Sequence, residues 1–294
     1  MTLAPTDLAL LAAPAARQSG VQAYIRRHPT IVVGAGLLGL MTLMAVFAPY
    51  LGTVDPQALS PIRRLRWPSA QYWFGTDMLG RDVYSRTIYG ARVSLTVGIS
   101  VALLASGFGL AIGLVTGFSR WTDAIVMRIM DGLMSIPSIL IAIALMALTR
   151  ASMENVIIAI TVAEVPRATR LVRGIVLTLR ELPFVEAAHA SGTSFFRILW
   201  RHILPNTLPP LLVNGSFVAA AAMIIEAALS FLGAGTPPNI PSWGNIMAEG
   251  RSLFQVAYYI VLFPGAFLSL TVLAINLLGD GLRDALDPRL ARRM

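Results

Sequence analysis

Three histidines, His28, His189 and His202, are the only imidazoles on this 294-residue chain, and no two stand at an HExxH-like spacing that would hold a metal ion. There is no cysteine, which excludes disulfides, thiolate nucleophiles and thiolate metal sites. All 23 cationic side chains are arginine. Without lysine, the chain can form neither a Walker A phosphate loop nor a Schiff base. GxSxG is also absent. What remains is a few charges inside apolar stretches: Glu164, Glu226, and Arg128 with Asp131. Such groups either line or gate a pathway, as in an ion or proton relay, or are held in structural ion pairs and hydrogen bonds.

The elements that position these charges are set by an unusual solvent. A hydrophobic fraction of 56%, a charged fraction of 13% and a mean hydropathy of +0.70 mark a polytopic all-α membrane protein. The net charge of +8 does not point to nucleic acid, because the arginines gather at the ends of apolar runs, as membrane orientation requires. Residues 1–30 read as a cytoplasmic tail rather than a cleaved signal, since the n-region holds Asp7 and no arginine and the short apolar run contains Pro14. A first span follows at 31–50.

A second uncharged run, Val93–Ser119, carries Ala105, Gly109, Gly113 and Gly117 at four-residue intervals. This small-residue stripe predicts close helix packing, within the protein or against a partner. A third span is expected over Asp123–Leu148, with Arg128 and Asp131 able to pair at i, i+3. The fourth is the weakest, free of charge only over Asn155–Ala163 before Glu164, Pro166, Arg167, Arg170 and Arg173. Thr207–Ile225 and Ser252–Gly279 complete six, within a domain of residues 93–280, and a cytoplasmic tail covers 281–294. With both termini inside, 15 arginines are cytoplasmic and eight lie outside. Six of those eight fall in the single connection 50–92, which leaves the inverted orientation open. That connection, 51–92 as a unit, reads as an interfacial amphipathic segment capped by Thr76 or Asp77, or as a solvated charged loop.

Between the fourth and fifth spans lies a polar island, EAAHASGTSFFRILWRHILP, Glu186–Pro205. Glu186 near a helix start suits the dipole, Gly192 lets the chain turn, and Pro205 stops the second helix. Phe195, Ile198 and Leu199 form an apolar stripe with Arg197 and Arg201 on another face. The pattern is a helix-turn-helix on the membrane surface, or an ordinary amphipathic connector.

EAAHASG followed nine residues later by HILP resembles the EAA motif of ABC importer permeases. FGTDMLGRDVYSRTIYGARVSL, SFLGAGTPPNIPSWG and GDGLRDALDPRL are similar to signatures of the C-type permease subunit of the dipeptide/oligopeptide/nickel family, and together they cover most of residues 70–290. The resemblance implies six transmembrane helices in a type I ABC importer permease fold, with a cytoplasmic coupling helix in a loop at about 174–206. It implies a non-catalytic inner-membrane subunit that moves di- or oligopeptides, or nickel chelates or other small solutes. Its implied partners are a B-type permease, two cytoplasmic ABC ATPases that hold ATP and Mg, and an extracytoplasmic solute-binding protein. No cofactor is implied on this chain. By carry-over, Glu186, Ala187, Ala188 and Gly192 contact the ATPase, with Phe195, Arg197, Arg201 and Pro205 around them. Glu226 and Glu164 are the pathway or gate candidates; Trp243, Trp73 and Arg81 are the docking candidates for the binding protein. A stand-alone secondary transporter, an intramembrane enzyme and an assembly scaffold are the competing classes.

Overall fold

The computed structural model describes residues 29–286, so the expected tail over 1–28 and residues 287–294 lie outside the described residues. Helix α1, Pro29–Val46, packs along α10, Tyr259–Leu286. Between them in sequence come α2, Val83–Phe118, then α3, Arg120–Met134, α4, Ser138–Leu148, and α5, Met153–Leu179. Short α6, Pro183–Ala190, and α7, Phe195–Ile198, lead through a π turn, Leu199–Ile203, into α8, Leu204–Phe231. Helix α9, Trp243–Gly250, lies in the connection from α8 to α10. No strand occurs among the described residues.

Helix α2 begins ten residues before the expected second span. Nothing between Asp82 and Ser119 can stop it, for the stretch contains no proline. Asp82, rather than Thr76 or Asp77, is the cap, its carboxylate accepting from Ser85 N at 2.8 Å. The expected interfacial segment is therefore the first turns of α2, and Val83, Arg86, Ile88 and Ala91 are buried instead of lying in the interface.

The small-residue stripe packs inside the chain, against α5. A Cβ at Gly109 would meet the Ala168 Cβ at 2.4 Å, one at Gly113 the Val172 Cβ at 2.7 Å, and one at Gly117 the Val176 Cγ1 at 2.5 Å. Ala105 is fully buried on the same face. Glycine here lets two backbones approach closely.

The third span is broken. Helices α3 and α4 meet at 90°, because Pro137 disfavours helix in the residue before it. At 15 and 11 residues, neither crosses a hydrocarbon core of about 30 Å alone. Arg128 and Asp131 do not pair with each other as expected. Asp131 accepts from Arg170, and Asp123 from Arg173 Nη2 at 2.7 Å, so α3 is clipped to the arginines of α5. By length and composition four helices among the described residues can span a membrane, five if the bent pair counts as one. Helix α5, with 27 residues, has the length but carries Glu154, Glu164, Arg167, Arg170 and Arg173. The last span starts at Tyr259, not Ser252, since residues 251–253 form a 3-10 turn.

Candidate functional site

Pro183 opens α6 at a position where its missing N–H costs nothing, and Glu186 sits in the first turn, where its charge meets the helix dipole favourably. Only Val185 is fully buried; Glu186 and Ala187 are exposed, and Ala188 is half-buried against an apolar cluster. The helix ends in a Schellman arrangement: Gly192 N donates to His189 O at 2.9 Å and Thr193 N to Ala188 O at 3.0 Å. Gly192 has φ +72°, the left-handed conformation in which glycine carries no Cβ penalty.

The return limb is sided. Ile198 and Ile203 are fully buried with Val172, Val176, Val185 and Leu211, and the Phe195 ring meets the Phe118 ring edge-on at 4.7 Å. Arg197, Arg201 and Pro205 are exposed. The Arg180 guanidinium donates to Gly117 O at 3.0 Å, tying the hairpin to the end of α2. The π turn passes into α8 with no loop, so hairpin and membrane helix form one continuous run, Phe195–Phe231. The structure thus brings Glu186, Ala187, Ala188 and Gly192 together on one exposed turn, with Phe195, Arg197, Arg201 and Pro205 beside it.

Glu226 and Glu164 do not join them. Glu226 lies 21 residues beyond Pro205, about 32 Å along the helix at a rise of 1.5 Å. It is fully buried, and Ser230 Oγ donates to its Oε1 at 2.9 Å. Hydroxyls of Ser94, Thr236 and Ser242 surround it, and it has no ion pair among the described residues. Glu164 is buried as well, with Arg167 Nη1 3.4 Å from its Oε2. Glu226→Gln should keep the bond from Ser230, leaving abundance and transport near normal, because the site is built of hydroxyls and not of cations. A variant of normal abundance that no longer transports would instead assign the carboxyl to the pathway.

At the opposite end, two docking candidates are internal. Trp243 is fully buried, with Nε1–H donating to Thr87 O at 2.9 Å, as a buried indole requires. Arg81 is 8% exposed and spent on Asp77 and Glu249, with Nε 2.6 Å from Asp77 Oδ2. Neither therefore lies at the surface; Trp73 does, 59% exposed and packed on Tyr84.

A family model described as the binding-protein-dependent transport system inner membrane component matches residues 107–292. The chain belongs to that family. A second model, the N-terminal TM domain of oligopeptide transport permease C, matches residues 23–68. Among curated relatives, "Probable peptide ABC transporter permease protein y4tQ" of Sinorhizobium fredii is 51% identical, over 91% of this chain and 92% of the relative. The dipeptide transport system permease protein DppC of Alkalihalophilus pseudofirmus is 43% identical, over 90% of this chain and 88% of the relative. A chain of the MetNI methionine ABC transporter, solved in inward-facing conformations, matches at TM-score 0.53 and 21% identity, over 69% of this chain and 96% of that one. This last likeness is one of fold: the chain is a multi-pass helical permease of the ABC importer type.

Three features of this permease escape a reading of its sequence. Phe196 and Trp200 stand exposed beside Arg197 and Arg201, at an i, i+4 spacing that was there to be seen. Ser230, one turn after Glu226, was a similar signal. The cluster of Asp77, Arg81, Arg86 and Glu249 joins residues up to 172 positions apart, which no local pattern reports.

Proposed function

We propose that this permease forms half of the translocation pathway of an ATP-driven importer of di- and oligopeptides, and that the drive enters through residues 174–206. The observation that carries this reading is the exposed α6 turn, whose return limb runs without a loop into membrane helix α8. A push on Glu186, Ala187 or Ala188 is delivered straight to a membrane-crossing helix. Names of relatives such as the dipeptide permease support peptides as the solute. In this reading two cytoplasmic ABC ATPases grip α6, a B-type permease completes the pathway, and an extracytoplasmic binding protein meets the surface around Trp73. The arginine distribution favours termini and hairpin on the cytoplasmic side. The chain itself is non-catalytic and holds no cofactor, ATP and Mg belonging to the partner subunits.

Gly192 gives the test. A Cβ there meets nothing within 4 Å, so a substitution acts on the backbone alone. Gly192→Val forces a branched side chain into the left-handed region, at a cost of about 1–2 kcal/mol that is relieved by rotating α6 away. We expect the permease to accumulate normally while co-purification with its ATPase is lost, and Gly192→Asn, which tolerates that region, to keep most of it. Full coupled transport in the valine variant would sink the assignment.

A further inference from the structure

The return limb also presents an exposed aromatic face beside α6. While Ile198, Leu199 and Ile203 turn inward, Phe196 and Trp200 point out, at 70% and 67% exposure, flanked by exposed Arg197 and Arg201. The stripe continues along the same helical run through exposed Leu208 and Leu212, so it is an extension of the outer face of a membrane-crossing helix. A second exposed tryptophan, Trp121, follows Arg120 at the start of α3. It is placed at the same end of the bundle by the contact of Phe118 with Phe195. Tryptophan and arginine recurring at one end of two helices is the composition of an interfacial belt.

We infer that Phe196 and Trp200, with Arg197 and Arg201, are a membrane anchor that seats the return limb in the headgroups of anionic phospholipid. It rests on the reading that this hairpin lies at the membrane surface beside the ATPase. The coupling segment then has two working faces: α6 is gripped from the cytoplasm, and the aromatic stripe is held by lipid. The rings supply apolar contact at the edge of the hydrocarbon, and the guanidiniums pair with phosphate. A stroke on α6 turns the limb about this fixed line instead of sliding it along the bilayer.

The test uses the assembled transporter in nanodiscs of phosphatidylcholine with phosphatidylglycerol. The fluorescence of Trp200 is taken as the difference between the unaltered complex and one carrying Trp200→Phe. Lipids brominated near the headgroup should quench that difference signal strongly, and aqueous iodide should quench it weakly. Arg197→Gln with Arg201→Gln should reduce the lipid quenching, most clearly when phosphatidylglycerol is present. If iodide quenches and brominated lipid does not, the stripe is solvated and the proposal is overturned. If neither quenches until the ATPase or the second permease is stripped away, a protein covers the stripe and the proposal is equally overturned. Trp200 quenching is independent of whether Gly192→Val loses the ATPase, so either reading can fail alone.

Discussion

Gly113→Leu is expected to force α2 and α5 apart and to leave little folded permease. An added Cβ would stand 2.7 Å from the Val172 Cβ and 2.9 Å from the Thr169 carbonyl oxygen. Val172 is fully buried and the carbonyl belongs to a helix backbone, so neither yields locally. Two effects compete. Glycine in a helix interior forgoes up to about 1 kcal/mol of propensity relative to alanine, which any replacement recovers. Overpacking a tight contact costs about 1–3 kcal/mol, and more where backbone must move. The steric term wins at Gly113, by about 2 kcal/mol or more. Gly107 lies on the same helix with nothing within 4 Å of its Cβ direction, so only the propensity term acts there, and Gly107→Leu should match or slightly exceed the parent. The measurement is the fraction of monodisperse permease surviving a graded heat challenge in detergent. Equal survival of the two variants would show that the stripe is not a close-packed contact.

That stripe was legible as a close-packing face, though not whether it packs within the chain or against a partner; the contact with α5 decides that. So were α1 and most of α10, whose long uncharged runs leave the chain no alternative to spanning. Other features needed three dimensions. Pro137 marks the break between α3 and α4, but the run from Ser138 to Leu148 is apolar enough to disguise two short helices as one span. Pro166 suggests an ending, yet α5 continues through it to Leu179 because α2 and α3 supply both a packing face and acids for its arginines. In the hairpin, Glu186, Ala187, Ala188 and Gly192 were legible as a turn, and the φ of Gly192 bears that out. The unbroken passage into α8 was not, since Pro205 reads as a stop. It falls just after the π turn Leu199–Ile203, and the donor it lacks is one missing rung in a run that continues on both sides. The return limb is continuous with α8 and does not move without it.

The end of the bundle opposite the hairpin is held by Arg86. Arg86 is 1% exposed on the first turn of α2, with Nη1 2.5 Å from Asp77 Oδ2 and Nη2 3.0 Å from Glu249 Oε1. Arg81 Nε completes the cluster on Asp77, so two arginines and two carboxylates hold the outer connection, α2 and α9 together. Arg86→Met leaves Arg81 as the one cation for the two carboxylates Asp77 and Glu249, and breaking a buried pair in this way costs about 3–5 kcal/mol. Lysine cannot rescue it, for one ammonium does not reproduce a fork that reaches two acids. Asp77→Asn in the same chain should recover part of the loss. The carboxamide oxygen can still accept from the backbone N–H groups of Leu79 and Arg81, at 2.8 and 2.9 Å in the parent, and the surplus negative charge is gone. We expect Arg86→Met to lower the unfolding temperature of the detergent-solubilised permease and to open residues 50–82 to protease before the helices melt. The double variant should lie between it and the parent. If Arg86→Met melts normally and its outer connection resists cleavage, the cluster does not hold this end of the molecule, and the stiffness of the cap must come from the Trp243–Thr87 and Tyr259–Arg66 contacts alone.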